Sequence, residues 1–301
     1  MLGNLSCSPK WTNAIKCGEV RGDDFTQTVA VEIVSGLIII PVSIAGEEYR
    51  FLFDSGAPTS ISSALQTKLG FRTISHGRMV DSEHNREKIE YVRIERLDIA
   101  AVPFTCQTAF VGDFVSNPAV KCLEIDGIIG SNLMRFCNWK IDYQNAMITF
   151  SNLSANRLLP SPDAVVPFDT DNQFDILVGL TAGGIKLKKV EIDYGSNGGL
   201  PLPSKSFELL KKHDVFSSTF SENGVSQSGM LGVIHDMKRE VGYLDSLSLA
   251  GQVDLTDVEV KSNGFGLIGG KLLSQYVVAI DWDDQNLLFD EVEESTPEVN
   301  F

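Results

Sequence analysis

The sequence predicts an all-β protein of two lobes with few, short helices. Three observations carry that expectation. Strand-like segments rich in β-branched and aromatic residues recur along the 301 residues, broken by Gly, Asn, Asp and Ser. Helical patterns are confined to short stretches. Two segments of equal length, "DGIIGSNLMRFCNWKIDYQNAMITF" (126–150) and "FGLIGGKLLSQYVVAIDWDDQNLLF" (265–289), also align without a gap at an offset of 139. Their identities are Gly127/Gly266, Ile129/Ile268, Gly130/Gly269, Leu133/Leu272, Ile141/Ile280, Asp142/Asp281 and Phe150/Phe289. That is more than chance gives over a gapless stretch, so one unit is read as occurring twice.

The elements follow in order. Strands are expected at "VAVEIV" (29–34), "LIIIPVSI" (37–44), "YRFLF" (49–53) and "KIEYVRI" (88–94). "SALQTKLGF" (63–71) places Leu65 and Leu69 four apart and offers Gly70 as a stop, so a short helix is expected there. "SKSFELLKKHD" (204–214) reads as another. The polar, proline-containing "SNLSANRLLPSPDA" (151–164) is the expected linker, and the acidic "DEVEESTPEVNF" (290–301) a loose tail. The division that results is an extension over 1–28, a first lobe over 29–155, a second over 164–290 and a tail over 291–301.

Composition narrows the function. Hydrophobic residues make up 43% and charged residues 22%, so there is ample material for a packed core. A formal net charge of −15 argues against nucleic acid as a partner, because phosphate contacts need clustered Lys and Arg. It argues equally against a polybasic membrane contact. The longest apolar run, "GLIIIPVSIAG" (36–46), is too short to span a membrane and contains a proline. "MLGNLSCSPKW" lacks the apolar core of a signal peptide, so the chain as given reads as cytoplasmic. "LSC" ending at Cys7 is similar to the end of a lipoprotein signal, and a start further upstream would make the protein periplasmic or lipid-anchored. Cys7, Cys17, Cys106, Cys122 and Cys137 are odd in number and widely spaced, which gives no disulfide framework and no zinc pattern. Buried free thiols are expected. The four histidines are scattered, and neither a metal site nor a cofactor is implied.

The chemistry is sought at "FLFDSGAPTS" (51–60), where three large apolar residues run into an acid, Asp54. The repeat offset takes Asp54 to Asp193, in "VEIDYGSNGGLPLP" (190–203). Each acid follows an apolar residue, Phe53 or Ile192. Each stands two residues before a glycine, Gly56 or Gly195, with the small residues Ala57 and Ser196 next. Two lobes related by approximate two-fold symmetry would bring these turns together. Paired carboxylates cannot both ionise easily, so they share a proton; the handling of one proton by two Asp groups in pepsin is the standard illustration. Such a pair can activate a water and protonate a carbonyl oxygen. The glycines fit either a positive φ or a close backbone approach. Asp142 and Asp281, which also match between the copies, read as structural turn acids. "GFGLIG" (264–269) fits G-x-G-x-x-G, but it does not follow a convincing buried strand and its repeat partner has Ile125 in place of Gly264. It carries no dinucleotide expectation.

These residues resemble the aspartic protease superfamily, pepsin-like and retropepsin-like, over about 29–290. "FDSGA" (53–57) is similar to the family's Asp, Ser or Thr, Gly, small-residue pattern, and "IDYGSNGGLPLPSKSFELL" (192–210) to its second signature. "GIIG" (127–130) and "GLIG" (266–269) resemble the segments that brace the two turns. The resemblance implies a bilobal acid-protease fold made of two retropepsin-like β-barrel lobes in one chain, and a monomer. It implies Asp54 and Asp193 as catalytic residues. Turn support would come from Ser55, Gly56, Ala57, Tyr194, Gly195 and Ser196, and bracing from Ile128, Ile129, Gly130, Leu267, Ile268 and Gly269. The substrate would be an extended polypeptide, held in the cleft under a hairpin flap expected within 71–92. One residue departs from the pattern: Tyr194 stands where Ser or Thr would bond across to the other lobe. Two readings therefore stand side by side. One is an aspartic endopeptidase. The other is a catalytically impaired module of the same fold that binds peptides or proteins, favoured if Tyr194 fills the cleft.

Overall fold

The computed structural model describes residues 11–80, 86–226 and 234–292. Cys7 and most of the acidic tail lie outside these residues. The strand Leu37–Ile44 buries almost all its side chains and runs antiparallel to Glu47–Asp54. Between them Ala45 and Gly46 both take positive φ, as a two-residue hairpin requires. Gly183 and Gly184 repeat the device between Ile176–Ala182 and Ile185–Asp193.

In the first lobe six strands close into a ring: Val102–Gly112, Ser60–Ser62, Gly127–Gly130, Glu47–Asp54, Leu37–Ile44 and Arg86–Ile99, which pairs back to the first. The second lobe follows the same path through Val253–Lys261, Leu200–Pro201, Leu267–Gly269, Ile185–Asp193, Ile176–Ala182 and Ile234–Leu249. There Leu200–Pro201 and Leu267–Gly269 stay unpaired with one another, so the ring is open at that point. The fold is all-β and two-lobed, and its helices are short.

A third sheet joins the halves. Its order is Ala164–Pro167, Asn286–Glu291, Tyr276–Asp281, Asn138–Asp142, Met147–Ser151 and Thr26–Ala30. Each half supplies three strands, and the seam pairs Trp139 with Ile280 and Ile141 with Val278. Trp139 is wholly buried, with ring centroids 4.8 Å from Phe150 and 5.4 Å from Phe53. Burying one such ring contributes roughly 2–3 kcal/mol, so the seam and the Asp54 strand share one core.

The expected helices form at Ser63–Leu69 and Ser204–Lys212. Ser62 caps the first with its side chain, and Gly70 ends it at φ 64°. The segment expected as one strand at 29–34 is divided. Thr26–Ala30 joins the seam sheet, a pairing that Val31 N–H extends to Ala146 O, and Glu32–Val34 pairs instead with Leu37–Ile44. Residues 151–164 are less linker-like than their polarity suggests: Ala155, Leu158 and Leu159 are buried. Among the four described cysteines, all free, only Cys137 is buried. Cys122 is exposed because it ends the short surface helix Pro118–Lys121. Asp142 and Asp281 accept N–H bonds from their own turns, at Asn145 and at Asp283 and Asp284.

The segment 71–92 lies in a long hairpin of Arg72–Val80 against Arg86–Ile99, whose tip (81–85) is outside the described residues. The second lobe carries a comparable hairpin, Ser218–Ser226 against Ile234–Leu249, that the sequence reading did not anticipate. No helix among the described residues is long and apolar enough to cross a membrane.

Candidate active site

Strand alternation explains where the acids stand. Phe51 and Phe53 point into the core, and Asp54 ends the strand where the chain turns. In the second lobe Ile192 points inward and Asp193 ends the strand. Beside each runs a parallel brace. Ile128, Ile129 and Gly130 lie level with Leu52, Phe53 and Asp54. Leu267, Ile268 and Gly269 lie level with Glu191, Ile192 and Asp193. The turns are pinned alike: Ala57 O accepts Ser131 N–H at 2.9 Å, and Ser196 O accepts Gly270 N–H at 2.6 Å.

The two acids meet. Their carboxyl groups hydrogen-bond to one another across the lobes. Gly56 N–H donates to Asp54 Oδ1 at 2.9 Å, and Gly195 N–H donates to Asp193 Oδ1 at 2.8 Å. Each carboxyl also rests on the opposite lobe's glycine. A Cβ on Gly195 would lie 2.2 Å from Asp54 Cγ, and one on Gly56 would lie 2.6 Å from Asp193 Cγ. Neither glycine has a positive φ. Of the two reasons a glycine might stand there, close approach is the operative one.

Ser55 spans the lobes. Its hydroxyl donates to Ile192 O at 2.6 Å and accepts Tyr194 N–H at 3.1 Å. Tyr194 does not return the bond. Its ring is wholly buried, 6.2 Å from Tyr143 in a stacked arrangement and 5.9 Å edge-on from Phe53. Its hydroxyl has no hydrogen-bond partner among the described residues. The phenol thus trades the small-residue position for a place in the core.

Electrostatics follow from burial. Asp54 is held well above the ordinary carboxyl range by desolvation and then by the charge of Asp193. Asp193 is pushed up to about 6 by desolvation, opposed by the bonds from Asp54 and from the Gly195 and Ser196 N–H groups. Two buried carboxyls this close cannot both ionise easily, so they titrate as a pair and hold the last proton in common.

Sequence reasoning missed two further acids. Glu191 is raised to about 10 by burial, then by the charges of Asp175, Asp193, Asp54 and Asp171. Asp175 is raised to about 8 by burial, then by Asp171 and Asp193. A signal existed: the offset that finds Asp193 also sets Glu191 against Leu52, an acid where the first copy has an apolar residue. Thr59 and Asn132 were missed as well. Asn132 Oδ1 accepts Thr59 N–H at 2.6 Å, and Thr59 Oγ1 accepts Gly130 N–H at 3.1 Å, which locks the first turn to its brace.

Comparison with curated proteins gives no match. Residues 40–133 match the family model described as aspartyl protease. That segment contains Asp54, Ser55, Gly56, Ala57 and the brace Gly127–Gly130; Asp193 lies beyond it.

Proposed function

We propose that Asp54 and Asp193 form one catalytic dyad that hydrolyses peptide bonds in an extended polypeptide. The observation that carries this reading is the carboxyl–carboxyl contact, built from two lobes with the same local bonding. The aspartyl protease match over the Asp54 half supports it. In this scheme the ionised member, Asp193, takes a proton from the attacking water. Protonated Asp54 donates to the scissile carbonyl oxygen, and water adds directly with no covalent enzyme intermediate. Ser55, Gly56 and Ala57 position the first acid; Tyr194, Gly195 and Ser196 position the second. The two braces hold both turns. Residues 29–155 and 164–290 are taken as the two lobes of a single-chain, pepsin-like arrangement acting as a monomer, and the scheme calls on no metal or cofactor. An extended substrate backbone suits a cleft flanked by strand edges.

The rival reading, a peptide-binding module with impaired catalysis, draws on the missing return bond at Tyr194. The burial of the ring in the core, against Tyr143 and Phe53, favours the enzyme. The test is cleavage of a mixed peptide library by the native protein, Asp54→Asn and Asp193→Asn across pH 3–8. Cleavage by the native protein that both variants lose is the expected result. A folded native protein that binds peptides and cleaves none would leave the binding module.

A further inference from the structure

The face of the second lobe beside Asp193 differs in kind from its counterpart beside Asp54. In the first lobe Ile39 pairs with Leu52, and continuing that register brings Leu37 level with Asp54. In the second lobe Leu177 pairs with Glu191, and the same continuation brings Asp175 level with Asp193. Two leucines on the face of one acid are therefore replaced by two carboxylates on the face of the other.

The covering differs too. Leu37, Ile39 and Leu52 are sealed under Phe114 and Ile125, from the connection 113–126 that leads into the first brace. The corresponding connection in the second lobe is only 262–266. Leu177 and Glu191 there keep partial exposure. The wall beside Asp193 is therefore less covered than its counterpart and carries two acids.

Hydrogen bonding to these two acids is sparse among the described residues. Glu191 Oε1 is buried and has no hydrogen-bond partner among the described residues. It would lie 2.8 Å from a Cβ on Gly56, against the same glycine as Asp193 Oδ1. Asp175 is only 9% exposed. Its sole side-chain bond among the described residues is a 3.5 Å contact from Ser131 Oγ, which bonds more closely to Gln173 O at 3.0 Å. No Lys, Arg or His pairs with either acid among the described residues. Buried carboxyls with so few partners hold their protons, and a cation bound beside them would favour their ionised form instead. Among the described residues no group of three His, Cys, Asp or Glu side chains has the arrangement to hold a metal ion.

We infer that Asp175 and Glu191 form a specificity recess that accepts a cationic side chain, Lys or Arg, at a position flanking the scissile bond. The inference deepens the proteolytic reading and rests on it. An entering ammonium or guanidinium supplies the donors both acids lack and displaces their protons to solvent. The net charge of −15 favours the approach of such substrates.

The test compares native protein with Asp175→Leu and Glu191→Leu, the residues the first lobe uses, and with the shape-preserving Asp175→Asn and Glu191→Gln. Cleavage sites are mapped in a peptide library after each variant's fold is checked by circular dichroism. The native protein is expected to prefer Lys or Arg at one flanking position. Each leucine variant is expected to lose at least about tenfold in kcat/KM on that substrate and to shift toward aliphatic side chains. A native preference without basic residues, or one that all four variants retain, overturns the inference. If the native protein cleaves nothing, the proteolytic reading fails, and butylguanidinium binding at pH 8 reads the recess alone. Binding weakened at least about tenfold in Glu191→Leu, with none for pentanol, supports the recess; equal binding to native and variant overturns it.

Discussion

At the scale of single residues, the two glycines under the carboxyls set the tightest constraint. Gly195→Ala would drive a methyl to within 2.2 Å of Asp54 Cγ. We expect the protein to fold and peptidase kcat to fall at least about 100-fold, as a displacement near 1 Å at the reacting groups does. Ser55→Ala removes the one hydroxyl that bonds both Ile192 O and Tyr194 N–H. Two buried backbone groups then lose a partner, at a cost of about 1–3 kcal/mol in denaturant unfolding. Tyr194 behaves as a core residue in this account. Tyr194→Phe deletes an unpartnered buried hydroxyl and should leave stability unchanged or raise it by up to about 1 kcal/mol. Tyr194→Ser, which matches the small polar residue beside Asp54, should instead cost roughly 3–5 kcal/mol through the cavity left between Tyr143 and Phe53. Thermal melts of the two variants decide between a core role and an active-site role.

At the scale of the element, the strand Ile185–Asp193 carries both the proposed chemistry and a stability cost. Glu191 and Asp175 hold their protons to higher pH in the folded chain than ordinary carboxyls do. The folded state therefore binds more protons than the unfolded state above about pH 4. Stability from these groups is full below that point and is lost as pH rises through about 8 for Asp175 and about 10 for Glu191. The groups facing them, Asp171, Asp193 and Asp54, are acidic as well, so none offsets the loss. Melting temperature should fall between pH 5 and pH 9, and Glu191→Gln should flatten that fall; a curve that rises over the same range would contradict the assignment. The segment Leu37–Ile44 was legible from its β-branched residues despite Pro41, and the helix Ser63–Leu69 from its leucine spacing and terminal glycine. The division of 29–34 was not, because it depends on Thr26–Ala30 pairing with Met147–Ser151, more than a hundred residues away. Cys122 was misread as buried because a cysteine's preference for interiors says nothing of the short surface helix it ends.

At the scale of the whole molecule, the seam sheet unites the halves and brings their acids together. Asp193 could be found from Asp54 because the braces after both turns keep one spacing, 139 residues apart. The sequence between them does not keep it. The hairpins end at Ile99 and Leu249, and the following connections differ in length, 113–126 against 262–266. For that reason the gapless offset located the turns but missed the second hairpin and the thinner cover over the second lobe's acids. The central claim is that Asp54 and Asp193 share one proton across the lobes. The most direct test is a carbon-13 NMR titration of the aspartate side-chain carboxyls in native protein and in Asp54→Asn. The account predicts one ionisation of the pair near 6, a second displaced far above it, and loss of this coupling in the variant. Two independent titrations near 4, unchanged by Asp54→Asn, would contradict it.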